Sequence, residues 1–397
     1  MTNAVLLDLS RLVSRARHHT PSGVDRVEMA YARGLADRLG DRLHFTAVHP
    51  VFGYGRLSKA TAVRYLDLLE RRWEAEGGGQ EQRSLAQTVP LLMTLRPTRA
   101  PALPGAVYVQ ASPHHLTRPA LVRRILAREQ ARFLCLVHDL IPIEYPEYAR
   151  PDGAALHQRR IETIAALADG VIVNSAATGD SMRPWIDRTG RCVATHVALL
   201  GTQVMPPSAS PVALPDVPYF LCVGTIEPRK NHLLLLNLWR SFAETLPQDA
   251  IPRLIIVGRR GWENEQVIDM LERCPALRGH VEERNGCSDQ HLDALLRGAR
   301  ALLLPSFAEG YGMPVAEALA VGTPVLCSDL PALREAGSDG PDFIDPLDGP
   351  GWRAGILDHF ADGPMRAAQL ARIPAYRAPT WAAHIDIVMD AIAALQR

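Results

Sequence analysis

Lysine is almost missing from this chain. Of 43 basic residues only Lys59 and Lys230 are lysine, so chemistry that needs a lysine amine as a covalent handle has two candidates. Metal-binding cysteine pairs are missing too. Cys135, Cys192, Cys222, Cys274, Cys287 and Cys327 form no Cys-x-x-Cys, which argues against a zinc site and a disulfide framework and suits a reducing compartment. No uncharged apolar run reaches the roughly 18 residues of a spanning helix. The opening Met-Thr-Asn-Ala-Val-Leu-Leu-Asp carries no basic stretch ahead of a long apolar one; no signal peptide is read there, and a cytoplasmic setting is expected. Neither sign of charge is in excess, 43 acidic residues balancing 43 basic ones, so nothing marks nucleic acid as a partner. There is also no Asp-x-Asp triplet, so a divalent metal bridging phosphates is not implied.

What is present is ample apolar material in an alternating order. With 397 residues, 47% of them hydrophobic, the chain is long for one domain and fits two around a cleft. Short apolar runs at 5–9, 45–48, 107–110, 133–137 and 170–173 read as strands, with helical patterns at 24–39, 117–130 and 154–168. Such alternation argues for an α/β fold with a parallel sheet covered on both faces. Residues 56–104 are less regular, and 77–83 read as an exposed loop. A polar, proline-rich break at 205–216 marks a linker. A second series follows, with strands at 218–223, 253–257, near 280, 301–304 and 324–327 and helices at 231–246, 263–272, 288–297 and 314–320. The last segment, 380–395, reads as an amphipathic helix capped by Thr380.

The most informative string is Pro305-Ser-Phe-Ala-Glu-Gly-Tyr-Gly-Met-Pro-Val-Ala-Glu-Ala-Leu. It follows the apolar run 301–304 and opens a helix near Pro314. Gly310 and Gly312 let the backbone approach a ligand, and the new helix aims its free N–H groups back at it. Glu309 is expected in the loop and Glu317 in the first helical turn, so the two carboxylates reach different parts of one elongated ligand. An ionised carboxylate only accepts hydrogen bonds, which suits the hydroxyl pairs of a sugar and a ribose. The bland alternative is a strand–loop–helix junction whose acids cap the helix or sit in water.

The segment resembles the Glu-x7-Glu signature of retaining glycosyltransferases of family 4. That resemblance implies the GT-B fold, two Rossmann-like parallel-sheet domains facing a central cleft, with boundaries expected at 1–207, 208–370 and a closing helix 371–397 that packs back on the N-terminal domain. It implies a nucleotide diphosphate sugar donor contacted by Glu309, Gly310, Tyr311, Gly312, Met313 and Glu317, with Glu317 on the ribose. The string Glu227-Pro-Arg-Lys-Asn is similar to the family's phosphate loop. Arg229 and Lys230 would lie at a helix N-terminus, with Asn231 as N-cap, and neutralise the departing diphosphate. Some members carry arginine directly after the strand glycine, where this chain has Thr225, which puts the load on Arg229 and Lys230.

Other positions follow from the same resemblance. Arg259 and Trp262 fall where similar strings line the nucleotide pocket, a charged turn being the competing reading. His138, at the end of an apolar strand, matches the cleft histidine that hydrogen-bonds the transferred sugar, and Asp139 caps the following turn. Asn174 and Ser175 end another strand on the same wall. Gly23 and Arg26 lie where the family has a glycine loop beside donor phosphates or acceptor, although the Gly-Gly form is absent. The implied reaction moves a hexose to a hydroxyl of a glycan or lipid-linked sugar, with no cofactor and no metal, on a protein that touches the inner membrane peripherally at most. The Glu-Pro-Arg-Lys-Asn form resembles bacterial mannosyl- and rhamnosyltransferases of surface polysaccharides, a lean towards GDP-mannose. A sugar-nucleotide epimerase and a donor-binding module without turnover stay open as alternatives; a pyridoxal phosphorylase would have only Lys59 to spare.

Overall fold

The computed structural model describes residues 4–16, 18, 20–49, 52–74, 92–204 and 214–397. The 77–83 loop and most of the 205–216 linker lie outside the described residues. The chain folds as two compact units, one of Met1–Glu144, Pro151–Gly201 and Thr380–Arg397, the other of Tyr145–Arg150 and Thr202–Pro379.

The first unit is built on a seven-stranded sheet in the order β3-β2-β1-β4-β5-β6-β7. Its strands are β1 (Val5–Asp8), β2 (Leu43–His49), β3 (Gly53–Arg56), β4 (Val107–Gln110), β5 (Arg132–Val137), β6 (Gly170–Val173) and β7 (Ala194–Val197). All pairs are parallel except β2 with β3. β1, β4 and β6 are buried at every position, as strands covered by helices on both faces must be. The closing helix Trp381–Gln396 belongs to this unit. Thr380 caps it, its hydroxyl accepting from the Ala383 N–H at 3.2 Å. His384 then anchors it, one ring nitrogen 2.9 Å from the Tyr31 hydroxyl and the other 3.1 Å from the Ala198 carbonyl.

The second unit carries a six-stranded, wholly parallel sheet, order β10-β9-β8-β11-β12-β13. The strands are β8 (Tyr219–Val223), β9 (Arg253–Val257), β10 (Val281–Arg284), β11 (Leu302–Leu304), β12 (Val325–Ser328) and β13 (Asp342–Ile344). Side-chain alternation divides its apolar residues between two cores. Phe220, Cys222, Leu254, Ile256 and Leu303 face one with Trp239 and Trp352, while Leu221, Ile255, Leu302, Leu304 and Val325 face the other with Leu295, Val315 and Leu333. Trp239 is fully buried and its indole N–H donates to the Pro252 carbonyl at 2.7 Å.

Several elements escaped the sequence reading. The irregular stretch contains the helix Lys59–Glu74, whose buried Ala62, Tyr65, Leu66, Leu69 and Trp73 keep helical spacing among charges. The edge strands β3 and β7 are polar or exposed, so they lack the apolar run that marks a central strand. In each sheet the chain reverses its direction of winding once, between β1 and β4 and between β8 and β11. Open α/β sheets bind ligands beyond the carboxyl ends of the strands at that point.

Candidate functional site

Two loops meet where β8 and β11 end. After β8 the chain leaves through Gly224 (φ +147), passes Glu227, and makes one 3-10 turn, Pro228–Lys230, before the helix His232–Thr245. Asn231 is not the expected side-chain cap. It adopts a left-handed conformation (φ +53), makes no capping bond, and donates from Nδ2 to the Pro346 carbonyl at 3.0 Å. Arg229 and Lys230 therefore stand on a tight turn ahead of the helix, because the left-handed Asn231 turns the chain between that turn and the helix.

After β11, residues 305–312 form the loop to the helix Met313–Ala320. Gly312 holds φ +104, and a Cβ there would lie 2.3 Å from Leu333 Cδ2. Only glycine fits. Gly312→Ala is expected to cost about 1–3 kcal/mol of backbone strain plus the Leu333 clash, seen as a lower Tm; an unchanged Tm would remove this constraint. Glu317 is the fifth helical residue, so it stands in the second turn rather than the first.

The two loops join through their charges. Glu309 Oε1 accepts from Lys230 Nζ at 2.5 Å and from Ser306 Oγ at 2.6 Å, and Oε2 accepts from Arg229 Nη1 at 2.9 Å. Arg229 Nη1 also donates to the Ala308 carbonyl, and its Nε lies 2.6 Å from Glu227 Oε1. The Phe307 N–H donates to the Arg229 carbonyl at 2.7 Å, joining the two loops backbone to backbone as well. The Glu309, Lys230 and Glu227 side chains are 7%, 10% and 4% exposed. Burial pushes the Glu309 carboxyl up, but the Lys230 and Arg229 charges and the bonds from Lys230 and Ser306 outweigh it and hold it down to about 2. Burial raises Glu227 against the pull of Arg229 and Lys230.

The sequence pairs Arg229 with Lys230 and marks Glu309 in a different string; the structure joins all three in one hydrogen-bonded group. Glu227 of the same motif also joins the group, and its one signal in the sequence is an acid two residues from an arginine. Thr225 and Arg259 are exposed at the ends of β8 and β9. Tyr311 is buried, which pushes its phenol up. Trp262 is engaged within its own unit, its indole N–H donating to the Tyr148 carbonyl at 3.0 Å and the Arg150 guanidinium lying 4.4 Å over its ring.

In the first unit, His138 Nε2 is 2.8 Å from the Ala111 carbonyl, which makes that nitrogen the protonated one. Burial lowers its pKa, so the ring is neutral near pH 7. Asp139 caps the turn, accepting from the Ile141 N–H. Asn174 Nδ2 donates to the His138 carbonyl at 2.8 Å, and Ser175 caps the helix Ala176–Asp187 by accepting from the Thr178 N–H. Gly23 is the first residue of the helix Gly23–Leu39, behind a reciprocal capping box of Ser22 and Asp25. Arg11 Nε donates to Asp25 at 2.7 Å and its Nη2 to Ser22 Oγ, bracing that box.

The same unit holds a buried polar group that the sequence reading missed. Asp8, at the end of β1, accepts from the Tyr108 hydroxyl at 2.8 Å and from Ser10. Glu28 is fully buried beside it and accepts from the Leu12 N–H at 3.1 Å. Burial, reinforced by the Asp8 charge, lifts Glu28 to about 8 against the weaker pull of the Leu12 N–H and the Arg11 charge. Among the described residues, no group of three or more His, Cys, Asp or Glu could hold a metal ion, and no helix is long and apolar enough to cross a membrane.

Residues 209–344 match the family of glycosyl transferases group 1. The serotype-specific mannosyltransferase WbdA of Escherichia coli is 29% identical over 235 residues, 55% of this chain and 28% of that protein. The O-antigen chain mannosyltransferase B of the same species is 30% identical over 252 residues, 61% of this chain and 64% of the relative. The chain thus spans about a quarter of the first relative's length and under two thirds of the second. Among solved structures, sucrose-phosphate synthase from Thermosynechococcus elongatus superposes with a TM-score of 0.65 at 17% identity, covering 99% of this chain and 98% of that one. HepE of Anabaena, solved with UDP, gives 0.62 at 14% identity, covering 98% and 99%. Residues 209–344 are therefore a glycosyl transferases group 1 domain, in a chain of GT-B architecture with two Rossmann-like sheets.

Proposed function

We propose that this chain is a retaining glycosyltransferase of family 4 that moves a hexose from a nucleotide diphosphate sugar to a hydroxyl of a glycan or lipid-linked sugar. The observation that carries the reading is the buried group Glu227, Arg229, Lys230 and Glu309 at the point where the group 1 domain's sheet reverses. Two cations held there, beside the N-terminus of the helix Met313–Ala320, are suited to stabilise negative charge as the diphosphate departs. Glu309 locks both cations in place, and we assign it contact with the transferred sugar's hydroxyls through the same carboxylate. Glu317 is assigned to the ribose and His138 to the transferred sugar. Gly310, Tyr311, Gly312, Met313, Thr225, Arg259, Gly23 and Ser175 complete the donor-side proposal. Mannose from GDP-mannose is the lead donor, because the relatives above are named mannosyltransferases.

The test is a thermal-shift panel of nucleotide sugars followed by turnover with a glycan acceptor. The cognate donor is expected to stabilise the folded chain by mass action, by about 2.7 kcal/mol at a hundredfold excess over Kd, and so to raise Tm. Release of nucleoside diphosphate in the presence of acceptor supports the transferase; tight binding with no release supports a binding module instead.

Transfer is also expected to survive thorough chelation, since Arg229 and Lys230 stand where a bridging metal would otherwise neutralise the diphosphate. Loss of transfer in EDTA, restored by magnesium or manganese, would overturn the metal-free mechanism. Arg229→Gln should weaken donor binding while leaving free nucleoside binding unchanged, because each charge-assisted bond is worth roughly 1.5–3 kcal/mol. Equal donor affinity by calorimetry would move the phosphate site elsewhere.

A further inference from the structure

The buried group at the ends of β8 and β11 is electrically balanced as it stands. Arg229 and Lys230 bring two positive charges, Glu227 and Glu309 two negative ones, and all four meet through contacts of 2.5–2.9 Å. The diphosphate of a sugar nucleotide carries two further negative charges. Bound here, it faces two cations already matched by carboxylates in a largely desolvated place, where like charges repel strongly. The site gains a balancing charge if one carboxylate becomes neutral.

The surroundings decide which one. Glu309 accepts from three side chains, Lys230, Arg229 and Ser306, and all three bonds favour the charged form. Glu227 is as deeply buried but pairs with one cation, Arg229. The charged groups facing Glu227 are Arg229 and Lys230 from its own turn and Glu309 from the loop after β11. Arg260, on the neighbouring loop after β9, is turned to Glu272 and Glu283. His232 and Cys222 lie beside Lys230, and both are buried and neutral.

We infer that Glu227 is a positioning residue for Arg229 that takes up a proton from solvent when the donor diphosphate binds. This deepens the proposed function and rests on its reading of the donor site. The protonated carboxyl still presents an oxygen to Arg229 Nε, so the guanidinium keeps its place while its charge is released to the phosphate. Burial already raises the Glu227 carboxyl in the empty site, so an approaching dianion moves it further in the same direction. The sign follows from linkage: binding consumes a proton, so donor affinity falls as pH rises.

The experiment is calorimetry of the full chain with GDP-mannose, then UDP-glucose, in buffers of different ionisation enthalpy at equal pH. Both are phosphodiesters with no phosphate that titrates near neutrality, so any proton taken up belongs to the protein. Uptake approaching one proton is expected, with Kd rising by up to about tenfold per pH unit between the free and bound pKa values of Glu227. Glu227→Gln keeps an acceptor for Arg229, so it should bind donor with no proton uptake and a flat pH profile; Glu227→Asp should keep the uptake and raise Kd by misplacing Arg229. Binding by the wild-type chain without uptake overturns the inference and leaves the donor site standing. Uptake that persists in Glu227→Gln also overturns it, pointing to His232 as the acceptor. Failure of the wild-type chain to bind any sugar nucleotide would remove the donor reading itself, and this inference with it.

Discussion

Glu309→Gln is expected to lower turnover by at least about 100-fold, the scale of losing one preorganised electrostatic contact in an active site. The amide keeps one oxygen for Lys230 and Ser306, but the group replacing the other oxygen cannot accept from Arg229. Two cations then share a buried place with one carboxylate fewer. Stability should fall as well. Moving a carboxyl from 4.5 to about 2 on folding corresponds to about 3 kcal/mol. Its sign is that of a depressed acid: the contribution is complete above pH 4.5 and disappears as pH falls through 2. Below that range wild type and variant should converge; at pH 7 the variant should melt lower. Near-normal transfer by a folded Glu309→Gln protein would end the role assigned to this carboxylate.

Glu28→Gln should act in the opposite direction. Glu28 is fully buried and its carboxyl is lifted from 4.5 to about 8, so the folded chain holds a proton there that the unfolded chain releases. The favourable contribution is complete below pH 4.5 and is lost as pH rises to 8, a change of about 4–5 kcal/mol for one group. Glutamine still accepts from the Leu12 N–H and cannot ionise. The variant's Tm should therefore gain on wild type steadily from pH 5 to 8 and stay ahead above 8. Parallel melting curves across that range would show that Glu28 does not titrate as described.

These two acids show what a linear reading reaches. Glu309 was legible because its loop has a spacing, glycines and a preceding strand that point to a ligand. Glu28 sits in a helix as one acid among many, and nothing around it in the chain marks it. Its character comes from Asp8, twenty residues away on β1, and from complete burial. Trp262 left two readings open, a nucleotide contact and a charged turn, and its partners Tyr148 and Arg150, more than a hundred residues earlier, are not legible around it in the chain.

The central strands of both sheets and the glycine-marked exits after β8 and β11 were determined by the sequence itself. A strand covered on both faces must be an unbroken apolar run, and a sharp exit beside a ligand selects glycine, so both leave local marks. The polar edge strands, the left-handed turn at Asn231 and the electrical balance of the site were decided only by tertiary structure. Arg229 and Lys230 stand about 80 residues from Glu309 along the chain and meet it because β8 pairs with β11. Charge and proton affinity depend on burial and on partners arriving from other elements, and those distances exist only once the sheet has formed.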